Sequence, residues 1–206
     1  MDDPFLFRND PVAEAWHRWT SKEARAMAHY QFESEWTLTA PVDRVFELAS
    51  HPESFTGWWP HVTSSRLVEE GDENGVGSRA AYTLRSPFWY SMNFVTTMVD
   101  IDHPRRIHML VRGDLIGTGT FLLDGDHRRT RVRLIWNVST TKPWMNLLAP
   151  VAGPLFGWAH NHVTRAGAFA MARRLDATLL STANGSRRGA GNDGVAEEMS
   201  DATGGS

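Results

Sequence analysis

The clearest periodicity in the chain lies between Tyr30 and Ala40. Phe32, Ser34, Trp36 and Leu38 fall on one side, Glu33, Glu35 and Thr37 on the other. A period of two puts one face against a core and the other in water, which describes a half-buried strand. Ala40-Pro41-Val42-Asp43 then starts a short helix carrying Val45, Phe46 and Leu48. His51-Pro52 breaks that helix, and a second helical turn leads into Phe55-Thr56-Gly57-Trp58-Trp59-Pro60. Six further strands follow at 62–69, 78–85, 90–101, 106–112, 117–123 and 130–140, separated by glycine, proline, asparagine and aspartate turn signals. In the last of them Val132, Leu134, Trp136 and Val138 face inward against Arg131, Arg133 and Asn137 outward. After a stretch broken by Pro143, Pro150 and Pro154, a long helix is predicted from about Leu155 to Leu180.

This order predicts an α+β domain, with helices segregated to one face of an antiparallel sheet. A sheet of seven strands must curl, and the C-terminal helix then lies across its concave side. The space between them is a cavity unless large side chains fill it. The domain is expected over residues 29–181. Residues 1–28 read as an appendage, a helix opened by Asp10 as N-cap and Pro11 at its first position, with Ala13, Trp16 and Trp19 on its apolar side. Residues 182–206 are rich in Gly, Ser and Asn and poor in apolar side chains, so a disordered tail is expected there.

Composition changes the picture in three ways. The 206 residues carry a net charge of −3, which argues against a nucleic-acid partner, since phosphate binding needs a dense basic surface. There is no cysteine, which excludes disulfides, thiolate metal sites and cysteine nucleophiles. Nine tryptophans and eight methionines supply large apolar surfaces of the kind that fill a core or line a ligand pocket. The acidic start, Met1-Asp2-Asp3-Pro4-Phe5, lacks the basic-then-apolar order of a secretory signal, and a cytoplasmic location is expected. The nearly apolar run from Pro143 to Ala159 is too short and too proline-rich to span a membrane. It reads as a kinked lead-in covering the cavity mouth, with contact to a bilayer surface as the other reading.

Several local stretches resemble one superfamily. Ala40-Pro41-Val42-Asp43-Arg44-Val45-Phe46 after the first strand and Trp58-Trp59-Pro60-His61-Val62 after the second short helix are two of them. Gly113-Asp114-Leu115-Ile116-Gly117-Thr118-Gly119, Thr130-Arg131-Val132, Trp136-Asn137-Val138 and Trp158-Ala159-His160-Asn161-His162 are the others. Together with the element order they resemble the helix-grip fold of the SRPBCC (START-like) superfamily, in its polyketide cyclase/dehydrase-like branch, over about residues 30–180. The resemblance implies a hydrophobic pocket. It implies no particular reaction, because the fold hosts carriers, sensors and enzymes. No catalytic motif carries over residue by residue.

The candidate site residues follow from the expected faces. Trp36, Tyr82, Met109, Phe121 and Trp136 form the inward set on the strands, with Ser34 a small polar member. Trp58 and Trp59 stand where this fold has its cavity opening, either gating it or plugging the corner between helix and sheet. On the long helix, Leu155, Ala159, Val163, Ala166 and Ala170 share a face that includes His162, flanked by Trp158 and Phe169, with Arg173 one turn beyond. His162 and Tyr82 are the candidates for proton transfer or ligand orientation. The favoured reading makes His162 a core histidine bonded to a carbonyl or water, and Arg173 an arginine reaching solvent at the rim. His160 and Asn161 project elsewhere, so the two histidines cannot share a metal ion. No metal or other cofactor is expected.

A carrier or sensor for a small hydrophobic molecule, lipid-like or aromatic, needs only such a cavity and one or two polar anchors. A polyketide cyclase or aromatase would need several polar groups converging in it. A third reading is an interaction protein with a tryptophan-filled interior. No stable membrane insertion is expected, and oligomeric state, a homodimer included, is left open.

Overall fold

A computed structural model describes residues 28–88 and 90–188, with the side chains of 148–152 and 186–188 left aside. The helical appendage expected over 1–28, up to residue 27, and the tail beyond 188 lie outside the described residues. The elements run β1 (His29–Leu38), α1 (Val42–Ser50), a 3-10 helix (Pro52–Gly57), β2 (Val62–Glu69), β3 (Arg79–Arg85) and β4 (Ser91–Asp102). They continue with β5 (Arg106–Gly113), β6 (Leu115–Gly125), β7 (Thr130–Thr140), α2 (Pro143–Arg174) and β8 (Leu179–Arg188). All strands join one antiparallel sheet in the order β2-β3-β4-β5-β6-β7-β1-β8. The sheet curls about α2 without closing, and this is the expected α+β helix-grip architecture.

The period-two pattern sets the register. In β1 Tyr30, Phe32, Ser34, Trp36 and Leu38 are buried, and Phe32 and Trp36 oppose Trp136 and Val132 of β7. The outward partners form exposed ion pairs, such as Glu33 with Arg133 at 2.9 Å, which add little stability in water. In α1 Val42, Val45, Phe46 and Ala49 are buried at helical spacing. Its start is tied to the sheet by the Thr130 hydroxyl, which donates to the Ala40 carbonyl at 2.7 Å.

Two expectations change. The sheet has an eighth strand, and the domain boundary expected at Ser181 falls inside it. β8 pairs with β1 from Leu38↔Leu179 to Tyr30↔Arg188. Its side chains from Leu179 to Gly185 are exposed or half-buried. Main-chain hydrogen bonds to β1 hold most of it, with Leu179 packed on the core and Asn184 Oδ1 accepting from Thr164 at 3.4 Å. A composition poor in apolar residues neither favours nor forbids such pairing.

The long helix also shifts, starting at Pro143 and ending at Arg174. Pro143 sits in the first turn, where its missing N–H has no intrahelical partner to lose. Asn146 fixes this end, its Nδ2 donating to the Thr140 carbonyl at 3.0 Å and its Oδ1 accepting from the Ala28 N–H at 2.9 Å. The far end closes in a Schellman turn. Asp176 takes φ 54°, its N–H reaches the Arg173 carbonyl at 3.3 Å, and the Ala177 N–H reaches the Ala172 carbonyl at 2.8 Å. Aspartate is among the few non-glycine residues that tolerate that conformation. Without a glycine, the sequence carries no visible stop.

Candidate ligand cavity

Between α2 and the concave side of the sheet lies a cavity of about 150 Å³. The strands contribute Tyr82, Phe94, Met109, Phe121, Leu134 and Trp136 to its wall. The helix contributes Phe156, Ala159, His160, Val163 and Thr164, and Phe55 and Trp59 close one corner. The cavity separates a large core cluster around Trp36, Val45 and Ile107 from a smaller one made by Tyr30, Phe32, Met145 and Phe156. Among the described residues, no aspartate, glutamate, lysine or arginine lines it.

Glycines make room for its two tryptophans. A Cβ at Gly119 of β6 would overlap the six-membered ring of Trp136, and one at Gly167 of α2 would overlap the indole of Trp59. Trp59 is further held by Nε1–H donation to the Val163 carbonyl at 3.0 Å. Its edge is thereby locked against the helix.

His160 is one of several polar residues on the wall, with Tyr82, Ser86, Thr96, Thr140 and Thr164. Its ring stacks on Phe32 with centroids 4.1 Å apart and planes 11° from parallel. Nε2 lies 3.4 Å from Ser34 Oγ, and Ser34 Oγ donates to Thr164 Oγ1 at 3.1 Å. Thr164 in turn donates to the carbonyl one turn back, that of His160, at 3.0 Å. Desolvation lowers the His160 pKa from the ordinary histidine value to about 3, so the ring is neutral at physiological pH. Tyr82 is shifted the other way, burial raising its phenol far above the usual range while the neighbouring Thr96 hydroxyl opposes the shift.

Of the residues singled out from sequence, Trp59, Tyr82, Met109, Phe121 and Trp136 line the cavity. Trp36 is inward but lies in the packed core, 2% exposed and away from the cavity wall. Trp58 is half-buried against that core, with Nε1 donating to Ser54 Oγ at 3.3 Å. Ser34 is inward and fully buried, behind His160.

The helix residues are placed differently. His162 is exposed, stacked on Trp158 at 5.3 Å and edge-on to His61 at 5.2 Å. Trp158 and Phe169 are 52% and 48% exposed, and Arg173 is exposed as well. Of the expected face, Ala159, Val163 and Ala170 are buried, Ala166 is half-buried and Leu155 is exposed. The buried stripe also takes in Phe156, Thr164, Gly167, Met171 and Leu175, with half-buried His160 on the cavity side. The bulky flanking side chains Leu155, Trp158 and Phe169 draw the expected face away from it. The signal that marks the buried face is the small pair Gly167-Ala168, with Gly167 against the Trp59 indole.

Aromatic pairs bridge the β3–β4 loop and α2 at one end of the cavity. Phe88 meets Trp158 at 5.5 Å and Tyr90 meets Trp144 at 5.2 Å. Trp144 also touches Phe156, a wall residue, at 6.5 Å. Among the described residues no three His, Asp or Glu side chains converge as a metal site requires, and no helix is long and apolar enough to cross a membrane.

No curated protein matches the sequence. Solved structures share the fold at low identity. A protein of Thermus thermophilus superposes with a TM-score of 0.61 at 18% identity, over 70% of this chain and 96% of that one. A START superfamily protein from Mycobacterium smegmatis gives 0.59 at 14%, over 71% and 97%. The Zhui aromatase/cyclase from Streptomyces sp. R1128 gives 0.55 at 16%, over 72% and 94%. Residues 29–184, from the start of β1 into β8, match the family model described as polyketide cyclase / dehydrase and lipid transport. With three quarters of its length inside that match and the START-like fold around an apolar cavity, the chain belongs to the polyketide cyclase/dehydrase and lipid transport family.

Proposed function

We propose that this protein binds a small hydrophobic molecule in the cavity beneath α2, as a carrier or sensor. The observation that supports this most is an interior lined mostly by apolar side chains, with neutral hydrogen-bonding groups at His160 and at the Tyr82–Thr96 pair. Apolar walls with a few placed polar groups are the usual makeup of a small-molecule site.

The second reading is a cyclase or aromatase acting in the same cavity, and the family description favours it. Two features weigh against it. A histidine with a pKa of about 3 is a weak proton acceptor at neutral pH, and the Tyr82 phenol is pushed too high to be a ready donor. General acid–base catalysis is efficient when the group titrates near the working pH.

The test is native mass spectrometry of the purified full chain beside mass analysis of its organic extract. A stoichiometric apolar compound released unchanged supports carriage or sensing. A compound recovered in cyclised or dehydrated form after incubation overturns it in favour of the enzyme.

A further inference from the structure

The hydrogen-bond chain around His160 assigns its protons. Thr164 has one hydroxyl proton, and it faces acceptors only: the His160 carbonyl at 3.0 Å, the Asn161 carbonyl at 3.3 Å and Asn184 Oδ1 at 3.4 Å. The proton between Ser34 and Thr164 is therefore the one on Ser34. Ser34 Oγ is then left to act as acceptor toward His160, so Nε2 carries the imidazole N–H. A neutral ring protonated on Nε2 has a bare lone pair on Nδ1. Among the described residues no hydrogen bond reaches that nitrogen. His160 thus offers the cavity an acceptor and no donor.

The remaining wall sets size and charge. With no charged side chain along it among the described residues, an ionised ligand group inside it would lack a counter-ion there, at heavy cost. An apolar cavity of about 150 Å³ takes up a molecule the size of benzene. We propose that the cavity selects uncharged, single-ring-sized molecules bearing a hydroxyl or N–H group, which donates to Nδ1 of His160. Carboxylates, free fatty acids included, are excluded. This rests on the reading of the cavity as a ligand site and narrows it to a chemical class.

Four probes of one ring size separate the elements of the proposal: para-cresol, 4-methylanisole, para-xylene and 4-methylbenzoate, titrated into the full chain by calorimetry at neutral pH. Cresol is expected to bind roughly tenfold more tightly than xylene or the anisole, the usual order of one net hydrogen bond. The benzoate is expected to bind at least about a hundredfold more weakly than cresol. His160→Phe, which keeps a ring against Phe32, should remove the difference, so that cresol and xylene bind the variant equally. Should that variant not fold, histidine-labelled nitrogen NMR of the unaltered protein reads the same contact. The His160 Nδ1 resonance moves upfield with cresol and stays in place with xylene. Equal affinity for cresol, anisole and xylene overturns the donor requirement while leaving the cavity reading intact. Benzoate binding as tightly as cresol overturns the charge exclusion. No binding by any of the four overturns the cavity reading itself.

Discussion

Gly167 and His160 show how single positions on α2 shape the interior. Because a Cβ at Gly167 would overlap the Trp59 indole, Gly167→Ala forces Trp59 to move and strains its bond to the Val163 carbonyl. Overpacking of this kind costs about 1–3 kcal/mol, and denaturant unfolding of the variant should show a loss in that range. An unchanged midpoint would mean that Trp59 has room to retreat. His160 leads to a pH prediction. Its folded pKa is lowered to about 3 by desolvation, so below the ordinary histidine pKa the unfolded chain binds a proton that the folded chain does not. Stability is therefore complete above about pH 6.5 and declines as pH falls from there toward 3. Between pH 7 and pH 5 this one group removes about 2 kcal/mol. His29 and His108, both lowered by burial, act in the same direction. In His160→Gln the loss over that interval should shrink by about the same 2 kcal/mol, measured by urea unfolding at the two pH values.

At the scale of elements, what was legible in the sequence follows from which force holds each piece. Strands that bury alternate side chains announce themselves, and β2 and β7 appear with the predicted limits, Val62–Glu69 and Thr130–Thr140. The inward strand residues that line the cavity were legible for the same reason. α2 was harder. It is apolar on more than one side, so bulky exposed residues such as Trp158 outweighed the small buried ones in fixing its phase, and His162 was favoured over His160. β8 left no trace in the pattern because backbone bonds hold most of it. That predicts the effect of removing residues 182–206, which strips most of β8 and leaves β1 as an open edge facing Glu33 and Glu35 outward. The truncated chain should lose about 1–2 kcal/mol, a Tm drop of roughly 2–8 °C for a chain of this length. It should also self-associate through the bared edge, seen as faster sedimentation with rising concentration. A fully stable monomer would show that β1 needs no partner on that side.

For the molecule as a whole, the question is how a ligand reaches an interior closed by the sheet on one side and α2 on the other. Among the described residues, the ring pairs Phe88–Trp158 and Tyr90–Trp144 link the β3–β4 loop to the helix next to wall residues Ser86, Pro87 and Phe156. Phe88 and Trp158 are 37% and 52% exposed, so their contact contributes modestly to stability and is cheap to break and remake. Parting them frees the loop from the helix without disturbing the core around Trp36. Trp158→Ala is then expected to leave the unfolding midpoint nearly unchanged, as replacements at half-exposed positions usually do within about 0.5 kcal/mol. The same change should speed both uptake and release of para-cresol severalfold in stopped-flow tryptophan fluorescence. Because the pair touches the path and not the bound molecule, the two rates should rise together and Kd stay within about threefold, well under 1 kcal/mol. A rise in release alone would make Trp158 part of the binding wall, and unchanged rates would put the opening at another edge of the helix.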